Sequence, residues 1–470
     1  MTPEGTVVVA ERPGAAEPRP YAFPPFRRSR LANGLSILTV DLAGRPLLTA
    51  SLIVPSGAAD EPDDLAGATV LMARALMEGT RDHDAVALVE ATERLGASIH
   101  AEAGWDATSI SLDVPAERLA PALDLVVEVA ARPTFPEGEV ERLREERLND
   151  ILQARADPRR RAEEAFIGAI YAPSSPYHRS SAGTTETVER LDAATSRAEL
   201  ARRFDPARMT LIVGGDLTGL DVERLAEERF GGWAADPAAV PPGPIDASPA
   251  ASHRRILVVH RPGSVQTEIR IGHPGSPRRM PDFHALSVMS AILGGLFNSR
   301  LNRRLREEKG YTYGAHAGFD LRRAAGPFAA RAPVDTAVTV PAVREMLEVI
   351  EGIGAGVTPA ELDEARDYLV GVFPLRFETV GAVVGALSGL VIQDLPDDEL
   401  TRYRPAIQAV SAVDVAAAAA AHVHPDELGI VLVGDADAFL ADLEAADLGP
   451  IEVERDAPPP AAEVTDDQPG

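Results

Sequence analysis

The sequence predicts an α+β chain of two homologous domains, each an antiparallel-rich β-sheet with helices packed on one face. Three observations lead there. Landmarks recur at a near-constant offset: Asp216 and Asp435 (435 − 216 = 219), Pro62-Asp63 and Pro281-Asp282 (281 − 62 = 219), Pro136 and Pro359 (359 − 136 = 223). Pairs of strand-like segments alternate with helical ones, the pattern of sheets covered by helices. A Pro/Ala-rich stretch, 234–254, divides the 470 residues into halves of about two hundred residues, each large enough to bury a core.

Each element follows from local pattern. LSILTVD (35–41) and LLTASLIVPSG (47–57) are strands by alternation and β-branched content. AGATVLMARALMEG carries helical spacing at Val70, Leu71, Arg74 and Met77. The next helix, AVALVEATERLG, stops at Gly96, a glycine suited to the left-handed residue that ends helices. ASIHAEAG and TSISLDV form a meander, followed by a helix over 120–131 and another starting near Pro136. MTLIVGGDLTGLDVERL closes the first half as strand, Gly-Gly-Asp turn and helix start, and LGIVLVGDADAFLADL repeats that plan in the second. The expected organisation is a disordered extension over 1–25, a domain over 26–233, the linker 234–254, a domain over 255–448 and an acidic, proline-rich disordered tail over 449–470.

Composition narrows the function. Apolar content of 45% and charged content of 25% are those of a globular chain. With no cysteine, thiolate metal sites, disulfides and cysteine nucleophiles are excluded. Lys plus Arg number 46 against 72 Asp plus Glu, so the net charge is −26, the wrong sign for general binding of nucleic acid or anionic membranes. No stretch approaches the ~20 apolar residues of a membrane span, and Glu4 and Glu11 flank the short N-terminal apolar run. A cytoplasmic location is expected.

Motifs for familiar chemistry are missing. There is no phosphate-cradling G-x-x-x-x-G-K-[ST], no G-x-S-x-G elbow, and no H-E-x-x-H or H-x-x-E-H. Gly352-Ile353-Gly354-Ala355-Gly356 follows a helix rather than a strand and reads as a helix end. His422 and His424 border an Ala-rich helix and read as capping or solvated histidines; His83, His100, His178 and His316 are isolated. The arginine clusters at 27–30, 159–161 and 303–304 read as solvated faces. One segment stands apart. Leu301 and Leu305 give one helical face, Gly310 stops the helix, and Tyr311 onward alternates as a strand, with Arg306 in the last helical turn and Tyr313 just beyond. A guanidinium and a phenol converging from two rigid elements can grip a peptide carbonyl and stabilise the oxyanion that develops on it. Spacing alone equally describes a helix-end arginine and a half-buried strand tyrosine, which is the commoner case.

The chain resembles the insulinase-like M16 metallopeptidases, in particular the small two-domain bacterial members. The resemblance runs over 29–448 and rests on LANGLSILTV, SLIVPSGAADEP, AGATVLMARALMEGT, ERLGASIHAEAGWDATSISL, RFDPARMTLIVGGDL and SRLNRRLREEKGYTYGAHAGF. It implies the two-domain M16 (LuxS-like) fold. The family's zinc motif H-x-x-E-H belongs just before Gly79-Thr80, where Val70 and Arg74 occupy the two histidine positions and Ala73 the general-base position; the further glutamate ligand falls near Asp150. The resemblance therefore implies that this chain binds no catalytic zinc. The family's Arg and Tyr, seven residues apart after an S-R-L helix, are present as Arg306 and Tyr313.

A missing metal motif beside an intact Arg/Tyr pair implies the non-zinc subunit of a heterodimeric peptidase. Zinc, its ligands and the base would lie on an H-x-x-E-H partner subunit. The substrate would be a short or unfolded peptide, including leader segments, and the linker would act as a hinge. The alternatives are an inactive scaffold and a peptide-binding subunit acting alone.

Overall fold

The computed structural model describes residues 19–236 and 241–455. The first half holds β1 (Phe26–Arg30), β2 (Ser36–Asp41), β3 (Leu47–Val54), β4 (Ser98–Ala103), β5 (Thr108–Pro115) and β6 (Thr210–Gly215) in the order β1-β2-β6-β3-β5-β4. Only β2 and β6 pair in parallel. The second holds β7 (Arg255–His260), β8 (Gln266–Pro274), β9 (His316–Phe319), β10 (Pro327–Asp335), β11 (Gly429–Gly434) and β12 (Ile451–Arg455) in the order β12-β7-β11-β8-β10-β9. The duplication is visible in register, since β2 and β6 shifted by 219 residues give β7 and β11 (36 + 219 = 255; 210 + 219 = 429).

The turn after β6 shows why aspartate recurs. Asp216 Oδ2 accepts the N–H of Gly44 at 2.8 Å, and Asp435 Oδ2 accepts that of Gly263 at 2.9 Å. Each carboxylate ties the end of a central strand to the hairpin of its neighbour, 219 residues apart in both members.

Every residue of β6 and β11 is buried, which requires cover on both faces of each sheet. A half's own helices supply one layer. The other comes from the opposite half: helix Pro158–Ile170 lies on β8 and β11, while helix Val380–Ile392 lies on β3 and β6. The two are duplicates at an offset of 222 (158 + 222 = 380; 170 + 222 = 392). Each approaches over a glycine. A Cβ on Gly272 would stand 2.9 Å from Phe166 Cζ, and one on Gly214 would stand 2.8 Å from Val384 Cγ2. The predicted α+β class therefore holds, with the one-face layering corrected by this exchange of helices.

Three boundaries also differ from expectation. Within the extension expected to be disordered, Phe23 is 6% exposed, its ring 5.1 Å from that of Phe377, and Tyr21 stacks on Phe377 and meets Phe373 edge-on. Two aromatic anchors in five residues outweigh the surrounding Pro and Glu. The linker is seated from residue 241 onward: Ser248 O accepts from Ala172 N at 2.9 Å and Asp246 O from Ser175 Oγ at 2.7 Å. A strip so bonded is not a loose hinge. The tail begins with β12, parallel to β7, because Ile451 and Val453 alternate with charged residues and face the core. β12 takes the edge position that β1 occupies in the first sheet. The remainder of the expected disordered segments, 1–18 and 456–470, lies outside the described residues.

No single helix among the described residues is long and apolar enough to cross a membrane.

Candidate functional site

Arg306 and Tyr313 belong to one compact unit of the second half. Ser299 opens a short helix, Arg300–Asn302, whose next turns, Arg303–Glu308, widen to π spacing, a departure often found at functional positions. Leu301 and Leu305 are fully buried and fix its inner face. Arg300 anchors it from below: Nε and Nη2 donate to the two oxygens of Glu361 at 2.7 and 3.0 Å, and Nη2 also donates to Gly356 O at 2.8 Å. This bidentate pairing holds the Glu361 carboxyl down to about 2, with the Arg300 hydrogen bond as the main cause. Gly310, at φ +65°, turns the chain out of the helix as only glycine does freely. Asn302 Oδ1 then accepts the N–H of Ala315 at 2.8 Å, binding the returning chain to the helix.

On this braced unit the two side chains stand free of the core. The Arg306 guanidinium lies over the Phe297 ring, 4.5 Å from its centroid, with Glu307 Oε1 at 3.5 Å from Nε. Tyr313 is 97% exposed, and no hydrogen bond joins it to Arg306. It sits in a bend closed by Thr312 Oγ1 and Gly314, ahead of β9, rather than on the strand expected from Tyr311. The phenol is thus neither half-buried nor part of a ladder. Phe297, itself 69% exposed, carries no periodic signal in the sequence and was not foreseen; Arg300 was visible only as the arginine of S-R-L.

The first-half positions form a charged, filled surface. Ala73 is fully buried, so the place of a general base holds a sealed methyl group. Arg74 Nη2 donates to Glu146 Oε2 at 2.8 Å, and Arg142 holds the other oxygen of Glu146 at 2.6 Å while also pairing with Glu78. These bonds, Arg142 first and Arg74 second, hold the Glu146 carboxyl below the usual range. Val70, Arg74 and Arg147 line one narrow cleft, and Asp150 is absent from it. Asp150 instead accepts from Arg147 Nη1 at 3.4 Å and faces Arg160 at 3.8 Å. The carboxylate facing Arg74 is therefore Glu146, not Asp150. A valine, an alanine and two arginines offer no donor set for Zn²⁺, and the residues at these positions do not fit the ion.

Elsewhere, His260, Asp435 and Asp437 bring ligand atoms within 4.8 Å of one another. For two of the three, His260 and Asp435, the duplication assigns a structural role. His260 Nδ1 accepts Ala436 N–H at 3.1 Å, as Asp41 Oδ1 accepts Leu217 N–H at 3.1 Å in the first half (260 − 41 = 219). His422 lies between Ser276 Oγ (Nδ1, 2.7 Å) and Asp282 Oδ2 (Nε2, 2.6 Å). Ser276 is buried, so this chain of groups braces a helix end rather than exposing a nucleophile.

With the geometry in place, comparison with known proteins is direct. Residues 37–183 match the family described as Insulinase (Peptidase family M16), and residues 195–369 match Peptidase M16 inactive domain. The chain belongs to the M16 peptidase family. A relative from Mycobacterium leprae, described as an uncharacterized zinc protease, is 26% identical over 373 residues, 78% of this chain and 82% of that protein. Non-peptidase homolog YmxG of Helicobacter pylori is 23% identical over 375 residues, 78% of this chain and 84% of its own. Among solved structures, a peptidase M16 inactive domain from Pseudomonas fluorescens superposes with a TM-score of 0.78 at 27% identity, covering 87% of this chain and 98% of that one. A protease from Helicobacter pylori shares the fold, with a TM-score of 0.81 at 18% identity over 87% and 99% of the two chains.

Proposed function

We propose that this M16 chain is the non-zinc subunit of a heterodimeric peptidase, supplying Arg306 and Tyr313 to a composite site. The zinc, its ligands and the general base would belong to a partner subunit carrying H-x-x-E-H. The observation that carries the reading is the contrast between the halves. The second presents an unpaired phenol and a stacked guanidinium on a braced support, whereas the first has Arg74 bonded to Glu146 where ligands would stand. In this reading Arg306 donates to a backbone carbonyl of a short or unfolded peptide and Tyr313 donates to the oxygen that becomes negative during hydrolysis. A leader segment of a modified peptide is a suitable substrate class. The complex is taken to act in the cytoplasm.

The test is to mix the purified chain with its H-x-x-E-H partner and follow cleavage of a quenched peptide library, each chain alone serving as control. Cleavage by the mixture only, lowered about 10²-fold in kcat by Tyr313→Phe, is the expected result. A partner equally active alone would make this chain a scaffold, and activity of this chain alone would overturn the composite site.

A further inference from the structure

The exchanged helices meet their sheets differently, and the difference opens a cleft. In the second half, Arg270 on β8 and Arg331 on β10 stand directly opposite each other. Both reach Glu163 of the crossing helix Pro158–Ile170, with Nε of Arg270 at 2.9 Å and Nη1 of Arg331 at 3.2 Å from Glu163 Oε1. Two guanidinium groups and a carboxylate thus fill the space between sheet and helix.

The duplicate positions in the first half carry none of these groups. Arg270 corresponds to Ser51 (270 − 219 = 51), Arg331 to Ser111 (331 − 220 = 111) and Glu163 to Gly385 (163 + 222 = 385). Ser51 and Ser111 again stand directly opposite each other. A Cβ built on Gly385 would meet nothing within 4 Å. What remains is a cleft of about 400 Å³ between β3, β5 and helix Val380–Ile392, lined among others by Ser51, Ser109, Ser111, Glu102, Asp106 and Gly385. That volume lies in the range of small-ligand sites.

Charge says what the cleft would take. Its lining holds two carboxylates, Glu102 and Asp106, and no basic side chain. Asp106 is 7% exposed; its Oδ2 accepts from Arg323 N at 2.8 Å and Gln393 Nε2 at 3.2 Å, whereas its Oδ1 is buried with no partner among the described residues. A carboxylate with one oxygen left without a donor puts poorly compensated negative charge at the cleft wall, and an arriving cation offsets it. Ser109 and Ser111 add hydroxyl groups to the lining.

We propose that this cleft is a binding site for a guanidinium group, replacing from outside what Arg270 and Arg331 provide from within the other half. Free arginine and an arginine side chain of a peptide share that chemistry. The site requires neither zinc nor a partner chain, and it is separate from Arg306 and Tyr313.

Isothermal titration of the full chain tests it with four probes: L-arginine, acetyl-Gly-Gly-Arg-Gly-Gly-amide, and the citrulline counterpart of each, which keeps the shape but not the charge. Saturable binding of at least one arginine probe, at least about tenfold tighter than its citrulline counterpart, is expected. Tighter binding of the free amino acid would identify a metabolite site, and tighter binding of the peptide a side-chain pocket. Gly385→Leu, which fills the cleft, and Glu102→Gln, an exposed change that leaves packing alone, should each weaken binding by about tenfold or more. No saturable heat with either arginine probe, equal binding of citrulline, or affinity unchanged in both variants would overturn the proposal.

Discussion

Phe166 offers a direct measure of how far the exchanged helices make one folding unit of the two halves. Its ring is 1% exposed, on a helix that belongs to the first half by sequence but packs on the second sheet, with Gly272 leaving room beneath it. Large-to-small changes at buried phenylalanine cost about 3–5 kcal/mol, the upper part applying where the walls cannot move inward. Here the wall is β8, hydrogen-bonded to β10 on one side and β11 on the other, so collapse is restricted and a loss of about 4 kcal/mol is expected for Phe166→Ala. Phe166→Leu, which keeps most of the volume, should cost less than about 1.5 kcal/mol. Urea unfolding followed by tryptophan fluorescence and by far-ultraviolet circular dichroism separates the possibilities, because Trp105 and Trp233 both lie in the first half. Both signals should shift together. A loss under about 1 kcal/mol, or a dichroism midpoint that moves while fluorescence stays, would refute the reasoning.

Other expectations concern the site and its supports. Tyr313→Phe and Arg306→Gln should leave the urea midpoint within about 0.5 kcal/mol of the parent, since neither side chain is buried, and a larger shift would assign them a structural role. Arg300→Lys loses the paired bonds to Glu361 and should cost about 1–2 kcal/mol, while the Glu361 carboxyl, observed by NMR titration, rises from about 2 toward the ordinary range. Burial lowers His273 to about 4, with the His424 ring facing it at 5.0 Å. The unfolded chain therefore takes up that proton first, and up to about 3 kcal/mol of stability, whole above about pH 6.5, is lost as pH falls toward 4. Urea midpoints at pH 7.5, 5.5 and 4.5 should show this slope in the parent and a flatter one in His273→Gln; equal slopes would count against it.

Much of this could be read from the chain because duplication writes each feature twice. Asp216 and Asp435 fixed the offset before any contact was known, and both do the same work on a hairpin N–H. The exchange of helices was hidden, because an apolar helix face announces burial but not which sheet buries it. Counting from Gly79-Thr80 located Val70, Ala73 and Arg74, yet it could not say that Glu146 rather than Asp150 faces Arg74, since that depends on how the second helix is rotated. Composition misled at both ends. Proline and acidic residues dominate there, but Tyr21, Phe23, Ile451 and Val453 supply enough apolar contact to fix short segments. Tyr313 was expected on a strand by alternation, and the bend around Thr312 and Gly314 that lifts it clear of the sheet leaves little trace in periodicity.

The crossing helices also limit how a substrate could arrive. Swinging the halves apart about residues 234–254 would strip Pro158–Ile170 from one sheet and Val380–Ile392 from the other, uncovering two apolar layers at once. The polypeptide is latched at two places, one of them bonded at its end to the linker. In the proposed heterodimer, a doorway to Arg306 and Tyr313 would therefore lie along the seam between the subunits, opened by rocking one chain against the other.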